Sequence, residues 1–254
     1  MDHLGVTHRD GVLHVRMAHP PVNAFTVALL EELRDAFLTS GPRPRVIVLS
    51  SEVGGIFAAG GDLRFMAQAD EPTSSRYVLL CQEVYGLLER SDQVSIAAID
   101  GACLGGGLEI ALAADIRVAS PTSRLGLPEA SLGILAGGGA IHRLVRATGQ
   151  GVARDLLLAG EPISGATAHG WGLVSRLSED PVAEALRLAA RIAELSPDAM
   201  AATKSLAIAA STDDLAAGLA DEHRRWLEVR RGTNAQEGLT AFAERREARF
   251  VADD

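Results

Sequence analysis

The chain has 254 residues, 47% of them hydrophobic and 22% charged, with a formal net charge of −9 at pH 7. That length suits one large domain, or one domain with an appended subdomain, whose core needs no disulfide or metal to hold it. The acidic balance disfavours nucleic acid and anionic membranes because the basic residues do not cluster, and no uncharged apolar run reaches the ~18 residues of a membrane span.

Two cysteines, Cys81 and Cys103, sit in apolar surroundings, and no CxxC or Cys/His cluster has zinc spacing. A disulfide framework and a structural metal are therefore not expected, and a reducing cytoplasm is. The single lysine, Lys204, within an alanine- and glycine-rich composition, suits a GC-rich bacterial genome. The stretch MDHLGVTHRDG lacks the basic-then-apolar order of a secretory leader, so the expectation is a bacterial cytoplasmic protein.

Taken in order, GVLHVRM (11–17) is valine-rich and predicts a strand. HPPVNAF (19–25) is a turn region, and Thr26 can cap a helix over TVALLEELRDAFLTS, where Val27, Leu30, Leu33 and Phe37 recur at helical spacing. Pro42 and Pro44 then break the chain, and RVIVLSS (45–51) is a continuous apolar run suited to a strand buried on both faces. A glycine-rich loop (52–63), a helix (74–91) and strand QVSIAAID (93–100) follow. GACLGGGLEIALAAD leads into strand DIRVAS (115–120), then RLGLPEASLGILAGGGA and helix IHRLVRAT (141–148). LVSRLS (173–178) is a last short strand, and beyond Pro181 the pattern is helical, broken at 196–198, 211–214 and 232–234. Strands alternating with helices, then helices alone, predict α/β crossovers with a C-terminal satellite or subunit interface.

Several chemistries have no support. No P-loop exists, since Lys204 follows Thr203; no GxGxxG follows a strand; and there is no GxSxG elbow. Schiff-base chemistry would have to use Lys204, whose neighbours give no sign of it. The seven histidines are scattered and read as surface or structural residues.

Two stretches share a strand, glycine turn and helix order: VIVLSS…FAAGGDL and VSIAAIDGACLGGGLEIAL. Glycine there allows positive φ, close helix–strand packing or approach of a ligand to the backbone. The first N–H groups of a helix lack intrahelical partners and attract negative charge. Two such ends converging form an oxyanion hole. Glu109 follows the second glycine run, and Glu129 lies in GLPEASLG, each in an apolar stretch. Singly, each is a helix-start acid. Together, beside an oxyanion hole, they are a pair able to move protons around an enolate.

FAAGGDL, IDGACLGGGLEIALAADIRVAS and RLGLPEASLGILAGGGAIHRL together resemble the crotonase (enoyl-CoA hydratase/isomerase) superfamily, collinearly from PPVNAF to EGLTAFAERREARF. The resemblance implies an α/β spiral of ββα turns over 1–195 carrying an acyl-CoA site. It also implies a helical region over 196–254 that trimerises and closes the site, as a homotrimer or a hexamer of two trimers. The substrate would be an acyl-CoA thioester, with coenzyme A part of the substrate and no separate cofactor. Gly61 and Gly106 match the oxyanion-hole donors. Glu109 and Glu129 match the two carboxylates of hydratases, which implies addition of water to a 2-enoyl-CoA. Ala24, in Asn23-Ala24-Phe25, matches a segment that contacts the adenine end of coenzyme A, and Ala59 and Asp62 flank the first glycine loop. Phe65 and Met66 are candidates for the acyl wall or ordinary core. Arg245 and Arg246 match a basic pair near a cofactor phosphate, or form a solvated helix face. Ala136 and Ala140 stand where the family has proline and glycine, at a helix start expected to support Glu129.

Four alternatives stay open. Distant relatives in the superfamily cleave or close carbon–carbon bonds on other acyl-CoAs. A Δ3,Δ2-enoyl-CoA isomerase would move one proton with one glutamate. RNA binding in the superfamily uses a lysine-rich helix, whereas the matching segment reads EELRDAF. A non-catalytic acyl-CoA binder would have lost a glutamate or a glycine loop, and neither is lost.

Overall fold

The structure is a computed structural model that describes residues 2–38 and 43–251. Pro42 and the expected helix end at Thr39 and Ser40 lie outside the described residues.

β1 (Leu4–Arg9) and β2 (Val12–Met17) form an antiparallel hairpin. Asp10 and Gly11 turn it, both with positive φ (51° and 75°), as a two-residue hairpin turn requires. β1 goes unnoticed when the sequence is read for valine-rich runs, although the Asp-Gly pair signals it. In β2, Leu13, Val15 and Met17 point into the core. Thr26 caps α1 (Val27–Phe37), its side chain accepting the Leu29 N–H at 3.1 Å.

Three turns of one spiral follow. The first is β3 (Val46–Ser51), β4 (Ile56–Ala59), α2 (Leu63–Met66) and α3 (Glu71–Arg90). The second is β5 (Val94–Ile99), β6 (Ala102–Leu104) and α4 (Gly106–Ala113). The third is β7 (Ile116–Ala119), β8 (Arg124–Gly126), a 3-10 turn over Glu129–Leu132, and α5 (Ala140–Ala159), which kinks at Gly149. Then come β9 (Ile163–Ser164), α6 (Gly165–Gly170), β10 (Arg176–Leu177), α7 (Pro181–Ala193), α8 (Pro197–Ala209), α9 (Leu215–Arg231) and α10 (Thr233–Glu244).

The first strand of each turn joins a six-stranded sheet in the order β1-β2-β3-β5-β7-β10, parallel except for the β1–β2 hairpin. The second joins a four-stranded sheet, β4-β6-β8-β9, parallel through β8. The central strands β3, β5 and β7 are buried on both faces, as their mainly apolar runs require. On one face Val46, Val48, Ile96 and Val118 pack on Ala185, Leu188 and Ile192 of α7. On the other, Ile47, Leu49, Ala97 and Ile99 join the main core.

The small sheet eludes periodicity, because its strands are two to four residues long and rich in alanine and glycine. Its helix packs close. A Cβ on Gly107 would lie 2.2 Å from the Ala58 carbonyl oxygen, so α4 can rest on β4 only with glycine at the seam.

Lys204 on α8 is buried, at 9% exposure. It donates to the Leu88 and Gln93 carbonyls, both at 2.8 Å, and pairs with Asp115 at 2.8 Å. The one lysine of the chain is thus a tether between α8 and the spiral core.

Candidate active site

The three parallel strands of the small sheet end in register: Ala59 lies beside Leu104, and Leu104 beside Gly126. Neighbouring strands stand ~4.8 Å apart, so the residues just after each strand meet at one edge. After β4 come Gly60 and Gly61; after β6, Gly105 and Gly106; after β8, Leu127, Pro128 and Glu129. Ligands of parallel sheets bind at the carboxyl ends of strands. A cavity of about 620 Å³ opens at this edge, and its wall includes Gly61, Gly106, Glu109 and Glu129. Each turn of the spiral therefore supplies one part of the site.

Gly106 begins α4, whose first intrahelical bond runs from the Glu109 N–H to the Gly105 carbonyl at 3.0 Å. The N–H groups before it are the unpaired donors of a helix start. At the other end of α4, the buried Arg117 guanidinium donates to the carbonyls of Ala114 (2.7 Å), Ala111 (3.3 Å) and Leu173 (2.7 Å). A cation at the carboxyl end complements the helix dipole and fixes the helix against the core. No motif in the sequence marks Arg117, because its acceptors are all backbone.

Glu109 is 6% exposed, and its Oε1 accepts the Gly138 N–H at 2.7 Å. Burial pushes its pKa up to about 7, with the nearby Glu129 raising it further and the Gly138 N–H opposing. The Gly138 peptide is itself braced, since its carbonyl accepts from Arg143 at 2.9 Å, and Arg143 pairs with Glu89 at 2.8 Å. This corrects the expectation for the AGGGA segment: the start of α5 holds Glu109, not Glu129, because the Gly138 N–H bonds the Glu109 carboxylate directly.

Glu129 opens the 3-10 turn after Pro128. Burial raises its pKa. Its Oε2 is buried and has no protein hydrogen-bond partner. A carboxyl group in that setting is stabilised in its protonated form or by a polar group entering the cavity.

The other expected site residues divide. Ala59 and Met66 line the cavity. Asp62 does not: its side chain caps α2, accepting the Phe65 N–H at 3.0 Å. Phe65 packs against Tyr77, ring centroids 5.5 Å apart. Ala24 lies off the cavity wall, its carbonyl in contact with the His19 ring at 3.0 Å. Arg246 is engaged by Glu237 and Glu244, so it forms a surface ion-pair cluster, while Arg245 ends α10 in the left-handed region.

Residues that the sequence reading missed complete the wall: Tyr77, Cys81 and Tyr85, four residues apart along α3. Their spacing reads as a core stripe, and the polar tips are its only distinguishing signal. Burial keeps both phenols neutral and pushes the Cys81 thiol up to about 12. Among the described residues, no three His, Cys, Asp or Glu side chains are grouped to hold a metal ion, and no helix is long and apolar enough to cross a membrane.

A spiral of ββα turns with glycine turns and two carboxylates at one strand-end edge is the architecture of the crotonase fold. Superposition agrees: an enoyl-CoA hydratase structure from Bacillus anthracis matches with a TM-score of 0.94 at 31% identity, covering 99% of this chain and 100% of that one. The chain belongs to the enoyl-CoA hydratase/isomerase family, whose family model matches residues 7–253. Similar curated proteins include a probable enoyl-CoA hydratase of Bacillus subtilis, 37% identical over 92% of this chain and 93% of its own length. The mitochondrial methylglutaconyl-CoA hydratase of Mus musculus is 36% identical over 91% of this chain and 76% of its own length.

Proposed function

We propose that the chain is an enoyl-CoA hydratase, adding water across the 2,3-double bond of a 2-enoyl-CoA to give a 3-hydroxyacyl-CoA. The observation that carries this reading is the pair of carboxylates with raised pKa on one cavity wall, beside two glycine turns.

In this reading the thioester oxygen accepts from the Gly61 and Gly106 N–H groups. Each such donor is worth roughly 2.7–4 kcal/mol of barrier. Ionised Glu109 takes a proton from water as the water oxygen bonds to C3. The π electrons move through C2 to the thioester oxygen, giving an enolate. Protonated Glu129 delivers a proton to C2, and a proton passing back from Glu109 to Glu129 resets the pair. A carboxyl near neutral pKa suits this work, since proton transfer by a positioned group contributes ~10²–10⁴-fold. Coenzyme A enters as part of the substrate, and the reaction needs no further cofactor.

Among the described residues lining the cavity, two carry carboxylates and none is arginine, lysine or histidine. Leu63, Met66, Val78, Leu132, Ile134 and Leu135 supply its apolar wall. Both features favour an uncharged acyl group. We further propose residues 1–195 as the catalytic core of a bacterial cytoplasmic enzyme, with 196–254 assembling a homotrimer or hexamer. Leu215, Leu219 and Trp226, at helical spacing on α9, and Phe242 on α10 are exposed in the single chain and support that assembly.

The test is reaction of crotonyl-CoA in H₂¹⁸O with mass analysis of the product. Hydration predicts 3-hydroxybutyryl-CoA carrying one ¹⁸O. Isomerase chemistry predicts no ¹⁸O in the product and, in a parallel reaction in D₂O, deuterium entering the acyl chain, and that outcome would overturn the reading.

A further inference from the structure

The chain contains only two tyrosines, Tyr77 and Tyr85, and both stand on the cavity stripe of α3. Tyr77 does something there that packing alone does not require. Phe25 and Gly61 form an isolated parallel bridge. Two bonds define such a bridge: the Phe25 N–H to the Gly60 carbonyl, and the Asp62 N–H to the Phe25 carbonyl. The first is direct, at 3.1 Å. The second is relayed, with the Asp62 N–H donating to Tyr77 Oη at 3.3 Å and Tyr77 Oη donating to the Phe25 carbonyl at 2.6 Å. The hydroxyl is wedged into the ladder next to Gly61. It also rests on the glycine itself, since a Cβ built there would lie 2.7 Å from Tyr77 Oη.

We infer that Tyr77 is a positioning residue for the oxyanion hole: its hydroxyl fixes the Gly61–Asp62 peptide while the Phe25 N–H fixes the Gly60–Gly61 peptide that carries the Gly61 N–H, and the two together set the direction of that N–H. The inference rests on the reading of Gly61 as a thioester-oxygen donor. Without the hydroxyl, the Asp62 N–H and the Phe25 carbonyl are free to close to the ~2.9 Å of a direct bond. The Gly61–Asp62 peptide then swings toward Phe25, and Gly61 with its N–H shifts with it. Misplacement of about 1 Å at a positioning element costs on the order of 10²-fold in rate. Substrate affinity changes little, because the acyl wall and the remaining contacts stay.

The test is Tyr77→Phe, which keeps the ring. The expected result is a kcat on crotonyl-CoA lower by about 10- to 100-fold, with KM changed less than about 3-fold and the unfolding midpoint close to wild type. The decisive readout is optical. A bound dimethylaminocinnamoyl-CoA absorbs further to the red as its carbonyl is polarised, whether or not it reacts. Wild type is expected to show the red shift, and Tyr77→Phe to lose most of it. A full red shift and unchanged kcat in Tyr77→Phe overturn the inference alone. No red shift in wild type overturns the oxyanion-hole reading beneath it. Should the variant not fold, wild-type protein labelled with 3-fluorotyrosine gives two ¹⁹F lines, and the Tyr77 line is expected to move on binding the probe. A Tyr77 line that stays in place overturns the inference.

Discussion

The two sheets of this molecule divide its labour. The large sheet has four strands of six residues, its parallel pair β3 and β5 is almost continuously apolar, and both faces of those strands are buried. The small sheet has strands of two to four residues, with glycine at its turns and carboxylates at its edge. The first buries area and supplies stability. The second holds backbone N–H groups and two glutamates in place, at the expense of burying ionisable groups. In this spiral of ββα turns, the second strand of each turn is a mounting for chemistry rather than a source of cohesion.

Substitutions separate the roles of the two sheets. The largest effect is expected at the seam joining the small sheet to α4. Gly107→Ala places a Cβ 2.2 Å from the Ala58 carbonyl oxygen, backbone against backbone. Denaturant unfolding is expected to show a loss above about 4 kcal/mol, in the exceptional range, with no measurable turnover.

Lys204→Met comes next, and it touches only the tether to the large-sheet side. Removing one partner of a buried pair costs about 3–5 kcal/mol, so the unfolding free energy is expected to fall by that amount with kcat retained below the new transition. Equal loss of kcat in the folded variant would break the division proposed between the sheets.

Glu109 links stability to pH. Its folded pKa, about 7, lies above the ordinary 4.5. Between those values the folded state binds more protons than the unfolded, so this group's contribution makes stability fall as pH rises through that window. Glu109→Gln removes that penalty. It is expected to be more stable than wild type above pH 7, by up to about 3 kcal/mol at ~1.4 kcal/mol per unit, and to lose the advantage below about pH 4.5. Activity runs the other way: as a base Glu109 must be ionised, so wild-type kcat/KM is expected to fall as pH drops below about 7.

The charge of the cavity wall gives a smaller, substrate-side prediction. An acyl chain ending in a carboxylate meets two glutamates and no cation among the described lining residues. A neutral 2-enoyl-CoA is expected to exceed a carboxylated analogue of equal length in kcat/KM by about 10²-fold, ~3 kcal/mol of unpaired-charge burial. Parity between the two would place an unrecognised cation at the site. Smallest of all is Ile96→Val in the large sheet, expected to cost about 0.5–1.5 kcal/mol of stability and leave kcat unchanged.

The same division explains what the sequence revealed. Val46–Ser51 and Val94–Ile99 announce themselves because a doubly buried strand must be apolar throughout. IFAA, ACL and RLG are too short and too small to carry a period, so the second sheet entered only through the family resemblance. The two glycine loops, Glu109 and Glu129 were legible because glycine runs and lone acids in apolar stretches are locally anomalous, while the choice of Gly61 and Gly106 within those loops came from the family resemblance. Tyr77, Gly138, Arg143 and Arg117 were not, because each acts across tertiary distance on a residue far away in sequence. Asp62 and Phe65 show the converse, since proximity to a motif does not place a side chain in the cavity.

The central claim is that two carboxylates at the small-sheet edge carry out the hydration. The most direct measurement is the decay of the conjugated enoyl-thioester absorbance of crotonyl-CoA with wild type, Glu109→Gln and Glu129→Gln, each confirmed folded by its unfolding curve. The expected result is turnover by wild type and a loss of about 10²–10⁴-fold in each variant. Turnover within a few-fold of wild type in either folded variant would contradict the claim.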